Sequence, residues 1–179
     1  MHFSASTLTS LLVGFALSST AIAHPVLARA TDTLTEKPYS EFQVSDGVAG
    51  NALAEVNAQF PVDQNNLAGV SDNDLQIIAK AAQLGESAET ASGVGFDDAI
   101  DAAGGQETTA GQALQNGKIK NKILKLQTDI LRIQIETAQG NTESTSDLAG
   151  QQSKLAEDVA TDEAAAGEAS TSVNFTGTD

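Results

Sequence analysis

Between Thr109 and Gln139 the chain carries no proline and repeats its branched aliphatic residues at a helical spacing. Ile119, Ile123, Leu126, Ile130 and Ile133 are separated by four, three, four and three positions, which is a heptad seam. A second stripe, Leu124, Leu131 and Ile135, lies about 140° further round, taking about 100° per residue. Gln127 and Gln134 fall between the two stripes. One apolar stripe needs one neighbour to cover it. Two stripes need two, so this helix is expected at the centre of the fold.

The neighbours can be read on either side. A first helix is expected from Asp46 to Gln59, capped by Ser45 or Asp46, with Ala49, Ala52, Leu53, Val56 and Phe60 on one face. Pro61 stops it. A second is expected from Ser71 to Ala103, with Asp74 as the acidic partner of a capping box. Leu75, Ile78, Ala82, Phe96 and Ile100 anchor it, and Gly85, Gly93 and Gly95 leave room for a break. After the Gly140-Asn141 turn, Ser144 or Thr145 opens a fourth helix to Ser172, with Leu148, Leu155, Val159, Ala166, Ala169 and Val173 inward. The spacing therefore predicts an all-α fold: an elongated three- or four-helix bundle with a heptad-patterned central helix, spanning residues 45–173. Residues 24–44, with Pro25 and Pro38 and no helical period, are expected as a flexible N-terminal arm. Residues 174–179 are expected as a C-terminal tail. No internal repeat and no strand-like period is visible.

The first 23 residues read as a secretory signal. An apolar core from Leu8 to Leu17 is followed by Ser18-Ser19-Thr20 and by the small residues Ala21-Ile22-Ala23. Cleavage is expected after Ala23, with Ala28-Arg29-Ala30 as a second site. The apolar run is too short to cross a bilayer, and no later run comes closer, so no transmembrane segment is expected. The protein is read as secreted and extracellular. It has no cysteine, which small secreted domains usually use as staples, so its stability must come from packed helices. Its formal charge of −15 disfavours nucleic acid as a partner.

The residues present exclude several chemistries. Without cysteine there is no thiol catalysis, and after signal removal His24 is the sole histidine, which leaves no Ser-His-acid triad and no copper pair. Asp72/Asp74, Asp97/Asp98/Asp101 and Glu157/Asp158/Asp162/Glu163 are the carboxylate clusters, and each is read as a solvated helix face. No calcium loop or phosphate loop is present. A non-enzymatic protein with no catalytic, metal-ligating or cofactor-binding residue is expected. Lys118, Lys120, Lys122 and Lys125, with Arg132, make up five of the nine basic residues, and no acid occurs between Glu107 and Asp129. Lys118, Lys122, Lys125 and Arg132 share an arc of about 80°. This arc is the candidate interaction face, toward anionic lipid or an acidic partner; the alternative is a solvated face complementing acidic neighbours such as the fourth helix. Asn174-Phe175-Thr176 is an N-glycosylation sequon.

The runs Asp46 to Pro61, Gly117 to Gln127 and Ser172 to Gly177 give the chain a family likeness. It resembles uncharacterised small secreted proteins of filamentous ascomycete fungi. The resemblance implies an extracellular, cysteine-free, helical fungal protein, a class often counted as effector candidates, and it implies no site. A looser likeness, of composition and architecture alone, is to fungal hydrophobic-surface-binding proteins. Two functions follow as expectations. One is an extracellular interaction protein with an unknown protein or surface as partner. The alternative is a binder of hydrophobic surfaces or small apolar ligands at the fungal cell surface. A homo-oligomer joined along Leu124, Leu131 and Ile135 stays open.

Overall fold

A computed structural model describes residues 31–179, and in them the chain forms six helices and one two-stranded sheet. The expected signal, both cleavage sites and residues 24–30 of the expected arm lie outside the described residues. The longest helix, α5 (Thr109–Ala138), spans about 45 Å at 1.5 Å per residue. The Thr108 hydroxyl caps it by accepting from Gly111 N at 2.9 Å. Around α5 pack α3 (Asp72–Thr90), α6 (Leu148–Ala164), α4 (Phe96–Ala102) and α2 (Ala52–Gln59). Ile123, Leu126, Ile130 and Ile133 are buried, and so are Leu124, Leu131 and Ile135. The second stripe is thus covered within one chain and presents no seam to a second copy.

Two expected helices are shorter than their apolar patterns, for the same reason. Gly47 and Gly50 hold φ of +96° and +111°, values that a helix cannot contain, so α2 begins only at Ala52. Gly47–Val48 forms β1 instead. It pairs antiparallel with β2, Ala169–Ser170, which lies inside the expected fourth helix. A helix through this segment would lose that pairing, and α6 stops at Ala164. The burial of α6 also differs from its reading. Leu155 and Val159 are half-buried and Ala166 and Ala169 exposed, whereas Asp158 and Asp162 are buried. Asp162 Oδ2 accepts from Ala52 N at 2.9 Å, so this carboxylate faces the start of α2 and satisfies an otherwise free N–H. The expected second helix divides into α3 and α4 at Ala91–Gly95, where Gly93 has φ +78°.

The segment from Thr31 to Val44, expected as part of a flexible arm, is packed. Leu34, Tyr39, Phe42 and Val44 are buried, and Tyr39–Phe42 forms a short helix, α1. Asp74 clamps the segment by accepting from Thr33 N and Leu34 N, each at 2.9 Å. The expected tail is packed as well. Tyr39 N donates to Gly177 O at 2.7 Å, Asp179 N donates to Lys37 O at 3.0 Å, and Asp179 itself is buried. Aromatic residues explain both corrections. Tyr39 meets Phe42 and Phe175 edge to face at centroid distances of 5.6 and 5.3 Å, and Phe42 meets Phe60 at 5.9 Å. In a chain this poor in aromatics, the two end segments supply much of the aromatic core.

Tyr39 also enters a buried polar chain. Its hydroxyl donates to Asn121 Oδ1 at 2.8 Å, and Asn121 Nδ2 donates to Gly85 O at 2.7 Å, linking α1, α5 and α3. Burial pushes the Tyr39 phenol up to about 12, outweighing its hydrogen bonds. In the unfolded chain the phenol ionises near 10. The unfolded state therefore binds fewer protons than the fold between those values, so Tyr39 stabilises fully below pH 10 and loses that contribution as the pH rises to about 12. The loss sums to about 2–3 kcal/mol. With one tyrosine and no tryptophan in the chain, the tyrosinate absorbance band reads this residue alone. Tyrosinate is expected to appear near pH 12 in the folded protein, and Tyr39→Phe should flatten the stability loss between pH 10 and 12. Ionisation at pH 10 without unfolding would contradict the buried hydroxyl.

Candidate functional site

The packing of α3 and α6 on two sides of α5 leaves a groove of about 480 Å³ along the three helices. Leu126 of α5, with Ala79 and Ala82 of α3, gives it an apolar floor. Lys122, Lys125 and Arg132 of α5 line it together with Lys154 of α6, and Glu86, Asp129, Glu157 and Asp158 set four carboxylates against these four cations. Three of the four residues of the expected interaction face therefore share one site. Lys118 lies outside it, toward α4.

The expected cationic arc is internally paired. Lys122 Nζ meets Asp158 Oδ1 at 2.8 Å, joining α5 to α6. Lys125 Nζ reaches Glu86 at 2.7 Å and Glu89 at 2.9 Å, joining α5 to α3. Lys118 Nζ reaches Asp97 of α4 at 2.5 Å. Arg132 pairs along its own helix with Asp129 and Glu136, each at 2.8 Å. Burial alone lowers the Lys125 ammonium, but the hydrogen bonds to Glu86 and Glu89 outweigh it and hold the group above the usual lysine range. The Arg132 guanidinium is raised in the same way, burial being outweighed by Asp129 and Glu136. Each of the four cations has a carboxylate against it. The face projects little positive field toward a polyanion or an anionic membrane. Among the described residues Lys154, on the exposed rim, is the groove cation without an ion pair.

The carboxylate clusters are drawn apart by their partners. Asp74 turns to the backbone of Thr33 and Leu34 while Asp72 is exposed. Asp97 pairs with Lys118, and Asp98 accepts from Gly93 N. Asp158 pairs with Lys122, and Asp162 faces Ala52 N. No group of acids or histidines among the described residues is arranged to hold a metal ion.

One residue of the basic cluster was not placed by its arc. Lys120 is fully buried, and its Nζ donates to Asp46 O at 3.2 Å and Val48 O at 3.0 Å and meets Glu55 Oε2 at 2.8 Å. The signal was present in the helical wheel. Lys120 falls about 40° from the Leu124–Leu131–Ile135 stripe, in the sector between the two apolar stripes. Asn174, the sequon residue, is exposed and does not line the groove.

The fold and the groove define a helical protein gathered round one long helix, with an open, ion-lined channel along it. The family model described as a domain of unknown function, DUF8454, matches residues 34–174, and the chain belongs to this family. No curated protein and no solved structure matches the chain.

Proposed function

We propose that this is a secreted, non-enzymatic fungal protein, an effector candidate, whose α3–α5–α6 groove receives a segment of a partner protein outside the producing cell. In this reading the domain is an elongated helical bundle with α5 as its heptad-patterned central helix. The observation that carries it is the groove itself: about 480 Å³, floored by Leu126, Ala79 and Ala82, and rimmed by both signs of charge. A polar peptide segment suits such a lining, because backbone amides and mixed side chains can meet paired ions without a net charge of their own. The signal-like residues 1–23 and the likeness to small secreted fungal proteins support secretion.

The test is partition and titration of the labelled protein over culture medium, isolated cell walls, neighbouring cells and hydrophobic beads. Saturable binding to walls or cells is expected. Ala79→Trp, which fills the groove from a half-buried position, should weaken that binding at least about tenfold, equal to about 1.4 kcal/mol, while leaving the melting temperature in place. Lys154→Glu should weaken it in the same direction. Binding unmoved by both variants would exclude the groove. Enrichment on beads instead would favour the hydrophobic-surface reading. Against that reading, the exposed large apolar side chains among the described residues are Val48 and Val94 alone, and the Leu and Ile stripes of α5 are buried apart from a half-buried Ile119.

A further inference from the structure

We propose that Asn174 is an N-glycan acceptor, carried on a face of the domain opposite the groove; this rests on the secreted reading, since the donor occurs in the secretory pathway. Asn174-Phe175-Thr176 is the one N-x-S/T sequence in the chain. Burial alternates through it as in an extended segment: Asn174, Thr176 and Thr178 are exposed, while Phe175 and Gly177 turn inward. The inward residues are anchored. Phe175 stacks edge-on against Tyr39 at 5.3 Å, and Gly177 O accepts from Tyr39 N at 2.7 Å. Gly177 also lies so close to α3 that a Cβ there would sit 2.5 Å from Leu84 Cδ2. With Phe175 and Gly177 half-buried and anchored, the acceptor amide and the threonine hydroxyl that a transferase reads with it face solvent on the same side.

The position of Leu84 sets where the sugar would stand. Of the α3 residues that line the groove, Ala79, Ala82 and Glu86 lie about 140–160° round the helix from Leu84 and Gln83 about 100°. The chain at Gly177, three residues beyond Asn174, therefore lies against the back of α3, and a glycan on this segment is expected to leave the groove open. In the transfer, Asn174 Nδ2 forms a bond to the anomeric carbon of a lipid-diphosphate-linked oligosaccharide. The bond from that carbon to the diphosphate oxygen breaks, the lipid diphosphate leaves with the bonding pair, and one amide proton is lost to base.

The test expresses the full chain in yeast behind its own first 23 residues and, in parallel, behind a proven secretion leader in their place. No Lys or Arg follows Lys154, so trypsin releases residues 155–179 as one peptide with Asn174 its sole asparagine. In the leader-driven protein, that peptide is expected to carry a glycan. An amidase that removes N-glycans should then convert Asn174 to aspartate, and Asn174→Gln or Thr176→Ala should abolish the modification. An unmodified peptide in leader-driven protein recovered from the medium would overturn the proposal. Retention in the cell of the version with native residues 1–23, beside a glycosylated leader-driven version, would overturn the secreted reading and leave the acceptor site standing. Asn174→Gln should change binding at the groove less than twofold, and a larger loss would overturn the opposite-face placement.

Discussion

Lys120→Ala is expected to lower the unfolding free energy by about 3–4 kcal/mol, and Lys120→Met to recover more than half of that loss. Two contributions separate in this pair. The four-carbon stem is fully buried among core residues of α5, and removing it opens a cavity of the kind that costs about 2–5 kcal/mol for a long aliphatic side chain. The ammonium holds the Asp46 and Val48 carbonyls and the Glu55 carboxylate, so its loss unties β1 and α2 from α5. Hydrogen bonds to a charged group contribute about 1.5–3 kcal/mol, but burying that charge is costly, and Glu55 is 40 % exposed and can return to water. Methionine keeps the stem and removes the head, so a residual loss of about 1–2 kcal/mol is expected. Urea unfolding followed by circular dichroism measures both variants. A Met variant as stable as the parent would show that Lys120 acts by packing alone.

The second large effect comes from a glycine. Gly117→Ala should destabilise by about 2–3 kcal/mol although alanine is the better helix former. A Cβ at Gly117 would stand 2.0 Å from Thr171 O and 2.9 Å from Thr171 C, both backbone atoms. Thr171 N is itself bonded to Ala113 O at 2.9 Å, and Asn116 Nδ2 to Ala169 O at 2.9 Å, so the strand cannot step aside without breaking these bonds. Gly150→Ala is the matching control. Nothing lies within 4 Å of a Cβ there, and the same substitution in α6 should stabilise by about 0.5–1 kcal/mol. Thermal unfolding of the two variants should shift in opposite directions; a shift of the same sign would refute the close approach at Gly117.

These residues also mark what could be read beforehand. The long helix is legible because its signal is local: its period and its lack of proline lie within one stretch of chain. The ends of α2 and α6 were not, because β1 and β2 compete with them through pairing between segments far apart in sequence, and apolar periodicity carries no trace of a distant partner. Aromatic residues in the end segments look isolated along the chain and meet only in space. The site divides in the same way. That Lys122, Lys125 and Arg132 share a face follows from helix geometry. That Glu86, Glu89 and Asp158 neutralise two of them depends on how α3 and α6 dock, which the α5 sequence does not encode. Lys120 was placed with the cations by composition, although its wheel position already set it between the apolar stripes.

Beside the bridge between Pro38 and Thr178, Lys37 N donates to Asp179 Oδ1, a contact between positions 142 apart. Contacts of that sequence separation form late, because the loop they close has the largest entropy to lose, whereas α3 and α5 can associate over a much shorter loop. On a ribosome the strap cannot close until nearly all of the domain has been made. Until then Tyr39 lacks Phe175 and stands partly uncovered, so the nascent chain passes through a stage with aromatic surface available to chaperones.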